Sequence, residues 1–182
     1  QLERVAEVLR GIHRARGAHL DQSVRGGTQT DGPLFARIDP EIRALRAAVV
    51  EAVAQHVAQL PPPDARHPTL SKRRDRALRF AGSWSVRLVG QGHHVNHVHP
   101  QGWISSALYV ALPEVPPDGG AHAGWLTIGS PQAALGLDLP PTRMIEPKPG
   151  RLVLFPSTMW HGTEPFPAGE RLTVAFDVLP PI

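Results

Sequence analysis

Beyond residue 78 the chain is cut into short pieces. Apolar or alternating runs follow one another at 79–89, 95–99, 104–112, 125–128, 143–146, 151–155, 159–161 and 171–179. Turn-forming clusters separate several of them: Gly90-Gln91-Gly92, Pro116-Pro117-Asp118-Gly119-Gly120, Pro147-Lys148-Pro149-Gly150 and Pro167-Ala168-Gly169. Glycine and proline at such spacing break helices and set tight connections, so the pieces read as strands. Short strands in this number must close on themselves or stack as two sheets to bury their apolar faces. The expected class is therefore mainly β with flanking N-terminal helices. Residues 1–78 form a helical support region and 79–182 the β core, within one domain overall.

The support region shows helical spacing twice. Leu2, Val5, Val8, Leu9 and Ile12 repeat at the helical period over 1–17, and Gly17 is a C-cap candidate. Asp39-Pro40-Glu41 opens a second helix, with Asp39 at N-cap, Pro40 at N1 and Glu41 favourable to the dipole. Ile42, Leu45, Val49, Val53 and Val57 form its apolar stripe, and Leu60-Pro61-Pro62-Pro63 ends it. Between the helices, residues 18–38 lack a period. Arg25-Gly26-Gly27-Thr28-Gln29-Thr30-Asp31-Gly32 reads as a polar loop, and it lacks the Gly-Lys-Ser/Thr ending of a phosphate loop. Gln1 is not an initiator methionine, so a preceding segment is expected.

Histidine is concentrated where chemistry is expected. Four of the ten histidines lie in His93-His94-Val95-Asn96-His97-Val98-His99-Pro100. On an extended strand His97 and His99 share a face. A His-x-His pair alone is a weak signal, because histidines also satisfy polar groups at strand ends. Here His161 follows at a distance, and Arg171 follows His161. Three imidazoles beside a cation fit an open three-ligand non-haem iron site, whose usual set is two histidines and one carboxylate. Asn96 points away from His97 and reads as a backbone-bonding residue. In the last run Leu172, Val174, Phe176 and Val178 form one face, and Arg171, Thr173, Ala175 and Asp177 the other. That pattern suits a wall with a cavity on its polar side, where Arg171 and Thr173 can hold a carboxylate beside the metal.

Composition narrows the classes. With no cysteine, any metal must sit on histidine and carboxylate, and a reducing, cytoplasmic compartment is expected. No run approaches a membrane span. The net charge of +3 comes with a local basic run, Lys72, Arg73, Arg74, Arg76 and Arg79. No aromatic residue interrupts that run before Phe80, so a stacking platform for single strands is unsupported and no nucleic-acid partner is expected.

Several stretches together resemble a known family. Ser83-Trp84-Ser85-Val86-Arg87-Leu88, Asn96-His97-Val98-His99-Pro100-Gln101-Gly102-Trp103-Ile104-Ser105-Ser106, Pro149 to Ser157, Trp160-His161 and Glu170-Arg171-Leu172-Thr173 look like the bacterial 2-oxoglutarate- and iron(II)-dependent oxygenases. Such domains often end tetratricopeptide-repeat proteins. The resemblance spans roughly residues 20–180. It implies a double-stranded β-helix (jelly-roll, cupin-like) and an oxygenase using Fe(II), 2-oxoglutarate and dioxygen on an unidentified substrate, with a protein or peptide as a mild preference. It also implies that Arg171 pairs with the distal carboxylate of 2-oxoglutarate and that Thr173 adds a hydrogen bond. Tyr109 is a further candidate there, or a plain core aromatic. The wider family pattern is His-x-Asp/Glu, whereas His99 stands at the third position here and makes a three-histidine site. Trp103 and Trp160 flank the ligands and are candidates for pocket walls. The competing readings are a cupin-like three-histidine enzyme that does not use 2-oxoglutarate and a non-catalytic jelly-roll binding module.

Overall fold

The computed structural model describes residues 1–14, 23–114 and 120–181. Helices α1 (Leu2–Ile12) and α2 (Pro40–Ala58) brace eight strands: β1 (Val24–Gln29), β2 (Phe80–His94), β3 (Ile104–Ala111), β4 (Leu126–Ile128), β5 (Arg143–Ile145), β6 (Leu152–Pro156), β7 (His161–Thr163) and β8 (Glu170–Val178). They form a five-stranded sheet, β1-β2-β8-β3-β6, and a three-stranded sheet, β5-β4-β7, with antiparallel pairing throughout. This is the mainly-β jelly-roll architecture expected from the sequence. Among the described residues, no helix is long and apolar enough to cross a membrane.

Strand β8 fixes the two sides of the large sheet. Leu172, Val174, Phe176 and Val178 are fully buried under the helices, against Val5, Leu9, Ile42, Val49 and Val53. The α2 stripe is buried as its spacing predicts, except that Leu45 is only partly covered. On the other side of β8, Arg171, Thr173 and Ala175 face the space between the sheets. Leu126, Ile128 and Phe155 form a small core, and Leu126 and Phe155 line that space.

Three local readings are corrected. Val24–Gln29, read as loop, is the edge strand β1, held to β2 by backbone pairing from Val24–His94 to Gln29–Val86. Its glycines hide it from any side-chain pattern, because a ladder needs only N–H and C=O groups. The helical region thus contributes a strand to the main sheet. Residues 95–99 are not a strand, and only His97 forms an isolated bridge, to His161. Asp39 stands at the N-cap of α2 as expected; its side chain makes no capping bond, and its carboxylate takes the Arg37 Nε–H at 2.8 Å. Helix α1 stops at Ile12, with His13 at its C-cap, and the expected cap Gly17 lies outside the described residues. The basic run is partly tied down, with Arg73 paired to Asp75 at 2.7 Å and Arg74 donating to the Leu60 carbonyl at 3.1 Å.

Candidate active site

Three backbone contacts gather the histidines. His97 and His161 exchange N–H···O=C bonds of 2.9 and 3.0 Å, and the His99 N–H donates to the Ser157 carbonyl at 2.8 Å. The turn after β2 is thereby tied to β7, an edge strand of the small sheet. The strand argument for His97 and His99 fails, yet the pair still converges. His97, His99 and His161 each offer a donor atom, and these lie within 4.8 Å of one another. One ion can be held by donors this close.

The outer ring nitrogens are all engaged. Nδ1 of His97 faces the Val95 carbonyl at 2.8 Å, and Nδ1 of His161 faces the Met159 carbonyl at 3.0 Å. Nδ1 of His99 lies 2.6 Å from Asp177 Oδ2. Carbonyls and carboxylates only accept, so each Nδ1 carries the proton and each Nε2 keeps its lone pair. Fixing the tautomer through an acceptor behind the ring is how proteins orient imidazole ligands. Asp177 is itself held by the Ser105 hydroxyl, which donates to Oδ1 at 2.6 Å. Sequence reasoning placed Asp177 only on the polar face of the last strand; its position behind His99 needs a contact across 78 residues and has no sequence signature.

Arg171 occupies the far side. It is 2% exposed, and its Nε has no hydrogen-bond partner among the described residues. The Tyr109 ring lies under its guanidinium at 5.1 Å, and the buried Tyr109 hydroxyl has no well-formed hydrogen bond among the described residues. Burial pushes the Arg171 pKa down and the Tyr109 pKa up. A buried cation with an unmatched N–H calls for an anion. Thr173 stands two residues along the same strand face, with its hydroxyl only 3.5 Å from the Val86 carbonyl. The residues present therefore fit both a divalent metal and a carboxylate beside it.

These groups share one cavity of about 480 Å³, lined by His97, His99, His161, Arg171 and Thr173. Trp84 and Phe155 supply aromatic walls. Neither expected tryptophan lines it. Trp103 packs in the helical core and donates its indole N–H to the Thr69 carbonyl at 3.0 Å. Tyr109 is not a lining residue either; it reaches the site only through Arg171. Sequence reasoning missed Ser23, whose hydroxyl lies 3.0 Å from His94 Nδ1 and 3.4 Å from His97 Nε2. Asn96 donates to the Pro131 carbonyl at 3.2 Å, a backbone-bonding role as its sequence position predicts.

Burial makes two of the histidines reluctant bases. His161 is lowered to about 3 and His97 is lowered as well, desolvation being the main cause in both. An unfolded histidine titrates near 6.5. Between pH 6.5 and 3 the unfolded chain therefore binds a proton that native His161 refuses, and native stability falls as pH drops through that window. His13, half-buried against Thr28 and Ser85 and lowered to about 4, acts in the same direction. Urea midpoints of metal-free protein should decrease from pH 7 to pH 4, with a shallower slope in His161→Gln. Parallel slopes in the two proteins would show that His161 is not desolvated.

Gly162, next to His161, is a second sensitive point. A Cβ there would run into the Asn96 carboxamide and the His94 carbonyl. Gly162→Ala should destabilise the protein by about 1–3 kcal/mol, as overpacking does, and lower iron affinity by displacing the turn that carries His97. Unchanged melting and metal titrations would contradict this placement.

A jelly roll with a three-histidine cluster and a buried arginine across one cavity defines a metal-dependent enzyme fold of the oxygenase type. The chain belongs to the 2OG-Fe(II) oxygenases: the family model described as "Putative 2OG-Fe(II) oxygenase" matches residues 82–177, more than half of its length. It is an oxygenase that uses iron(II) and 2-oxoglutarate, which displaces the cupin-like and binding-module alternatives. Similar solved structures include a Pseudomonas putida prolyl-4-hydroxylase, 16% identical, covering 100% of this chain and 86% of that chain at a TM-score of 0.59. A Trichoplax adhaerens prolyl hydroxylase in complex with a hypoxia inducible factor peptide fragment is 14% identical, with 98% and 76% coverage and a TM-score of 0.61. HygX from Streptomyces hygroscopicus, with nickel and 2-oxoglutarate bound, is 13% identical, with 99% and 79% coverage and a TM-score of 0.56. At these identities the likeness is one of fold. No curated protein sequence matches the chain.

Proposed function

We propose that His97, His99 and His161 hold iron(II) through Nε2 and that Arg171 and Thr173 orient 2-oxoglutarate beside it, for hydroxylation of a peptidyl substrate. The observation that carries this reading is the coincidence of three imidazoles with engaged Nδ1 atoms and a buried arginine with an unpartnered Nε in one cavity. Bound iron(II) would supply oxygen activation coupled to decarboxylation of 2-oxoglutarate. The chain does the rest. Arg171 presents a planar fork to the distal carboxylate, and Tyr109 supports the guanidinium from below. Asp177 keeps the proton on His99 Nδ1. Trp84, Phe155 and Leu126 exclude water from the reacting centre.

The peptide preference draws on the peptide seen with the Trichoplax enzyme. A catalytic core over 79–182 braced by 1–78, and a cytoplasmic, bacterial setting next to tetratricopeptide repeats, belong to the same reading and rest on the sequence and its resemblance. The direct test is succinate release. With iron(II), dioxygen and 2-oxoglutarate, the protein should form succinate above the iron-only background, and a chelator or His161→Ala should abolish it. Iron-loaded protein that forms none would sink the reading.

A further inference from the structure

The connection between β4 and β5 carries side chains that the proposed chemistry does not use. Five large apolar residues are exposed among the described residues, and three of them fall here: Leu135, Leu137 and Leu139, at 53%, 54% and 56%. A single exposed leucine is ordinary on a surface, whereas apolar side chains gathered together mark a contact.

The loop is seated on the segments that carry the ligand histidines. At its base the Gly129 N–H donates to the Trp160 carbonyl at 2.7 Å, next to His161, and Ile128 pairs with His161 itself. Asn96, next to His97, donates to the Pro131 carbonyl at 3.2 Å. Gln132 then lines the cavity. One short helical turn over Ala133–Leu135 follows, and Gly136 ends it in the left-handed region. The loop is also stiff. The Thr142 N–H donates to the Ile128 carbonyl at 2.8 Å, and the Ser130 hydroxyl donates to the Leu139 carbonyl at 2.9 Å. Pro140 and Pro141 fix their own φ angles. The leucines are therefore held out in solvent, on a pinned ridge continuous with the cavity lining.

What covers the ridge follows from size and charge. A cavity of about 480 Å³ is the size of a single small-molecule site. A polypeptide substrate places one side chain in it beside 2-oxoglutarate and lays its neighbours on the rim. An extended chain advances about 3.3 Å per residue, so the next few residues reach a ridge that begins one turn from Gln132. A second copy of the chain is a poor occupant, because three leucines fall far short of the roughly 1,200 Å² that a stable complex buries. A lipid surface is a poor one too. Asp138 stands between Leu137 and Leu139, and a carboxylate resists burial in hydrocarbon.

We infer that the β4–β5 loop is the substrate-docking surface, and that the substrate is a polypeptide segment with apolar side chains within a few residues of the one that is oxidised. This rests on the proposed oxygenase site and adds the chemical class of what that site takes.

The test uses two pools of end-blocked, fluorescein-labelled hexapeptides of equal net charge, one rich in leucine, isoleucine and phenylalanine, the other in serine, asparagine and glutamine. Binding to the manganese(II)–2-oxoglutarate form is read by fluorescence anisotropy. The apolar pool should bind on the order of tenfold more tightly, about what one well-covered aliphatic side chain supplies. High salt should not weaken the preference, since no charge pair carries it. Leu135→Ser, Leu137→Ser and Leu139→Ser, made singly, should each reduce it, and together they should remove it. Leu135→Met, Leu137→Met and Leu139→Met together should restore most of it, because methionine returns the apolar area. Equal binding, a polar preference, failure of both pools to bind, or an apolar preference that survives the triple serine variant overturns the inference. A serine variant that no longer folds overturns it too, by placing the ridge in the core. Competition by N-acetyl-leucine amide at the potency of the apolar pool overturns it in favour of a small apolar molecule. Loop-dependent dimerisation in sedimentation, or loop-dependent binding to phosphatidylcholine vesicles without peptide discrimination, assigns the ridge to a second copy or to a membrane instead. Manganese and 2-oxoglutarate are titrated on the same samples. If they do not bind, the metal and cosubstrate assignment falls and this inference with it; if they bind and the pools do not discriminate, only this inference falls.

Discussion

Replacing Arg171 by alanine should leave metal binding close to wild type and weaken 2-oxoglutarate by roughly 30- to 5000-fold. The range follows from about 2–5 kcal/mol for a hydrogen-bonded charge pair truncated on one side, at about 1.4 kcal/mol per tenfold. Arg171 is 2% exposed, so water cannot stand in for the lost guanidinium. The metal-free protein should not suffer in parallel. Its native state keeps a cation buried without a carboxylate partner among the described residues, which is costly, and the alanine variant removes that cost. Loss of cosubstrate with retained or raised melting temperature is therefore the signature. Arg171→Lys should recover only part of the affinity, because an ammonium lacks the planar fork. Thr173→Val should cost less, about 1–3 kcal/mol for one neutral hydrogen bond. Calorimetry of 2-oxoglutarate into the manganese form reads all three variants. Equal affinity in wild type and Arg171→Ala would place the cosubstrate elsewhere.

The second large effect is loss of iron from His97→Ala, His99→Ala and His161→Ala, each expected to abolish stoichiometric binding. Each removes one of three donors and leaves the site with two. The His99 position is the informative one. Asp177 Oδ2 lies only 2.6 Å from His99 Nδ1, so a carboxylate is close by if the imidazole is lost. Full iron stoichiometry in His99→Ala would mean that Asp177, not His99, completes the set. Asp177→Asn separates the two cases. As an orienting partner it should cost about 10- to 100-fold in metal affinity; as a ligand it should cost as much as a histidine. Inductively coupled plasma measurements on dialysed protein suffice.

What could be read from the chain divides along a physical line. The alternation in β8 was legible because one side faces a helical core and the other a polar cavity, and a period of two records that difference. The α2 stripe was legible for the same reason. β1 was not, because Val24–Gln29 pairs through backbone groups and carries little apolar side chain. His97 and His99 were found for a reason that did not hold: a bridge to His161 and a bond to Ser157, not a shared strand face, bring them together. Contacts that cross the chain, such as Asp177 behind His99, Tyr109 beneath Arg171 and Ser23 beside His94, leave no spacing to detect. Trp103 was placed at the pocket by adjacency to the motif, yet it turns into the core, where its indole N–H finds the Thr69 carbonyl.

The route by which His161 and His99 reach each other has a further consequence. His161 belongs to the small sheet, and His99 is anchored through Asp177 to β8 of the large one. Iron bound between them would be a rivet through the two leaves, added to the backbone bridge between His97 and His161. Ligands that bind only the folded state raise its stability by mass action, and here the gain would fall on the small leaf, whose strands are three residues each. In iron-poor cells that leaf should open first and expose the chain to proteases, so the lifetime of the enzyme would follow the iron supply even while its synthesis stayed constant.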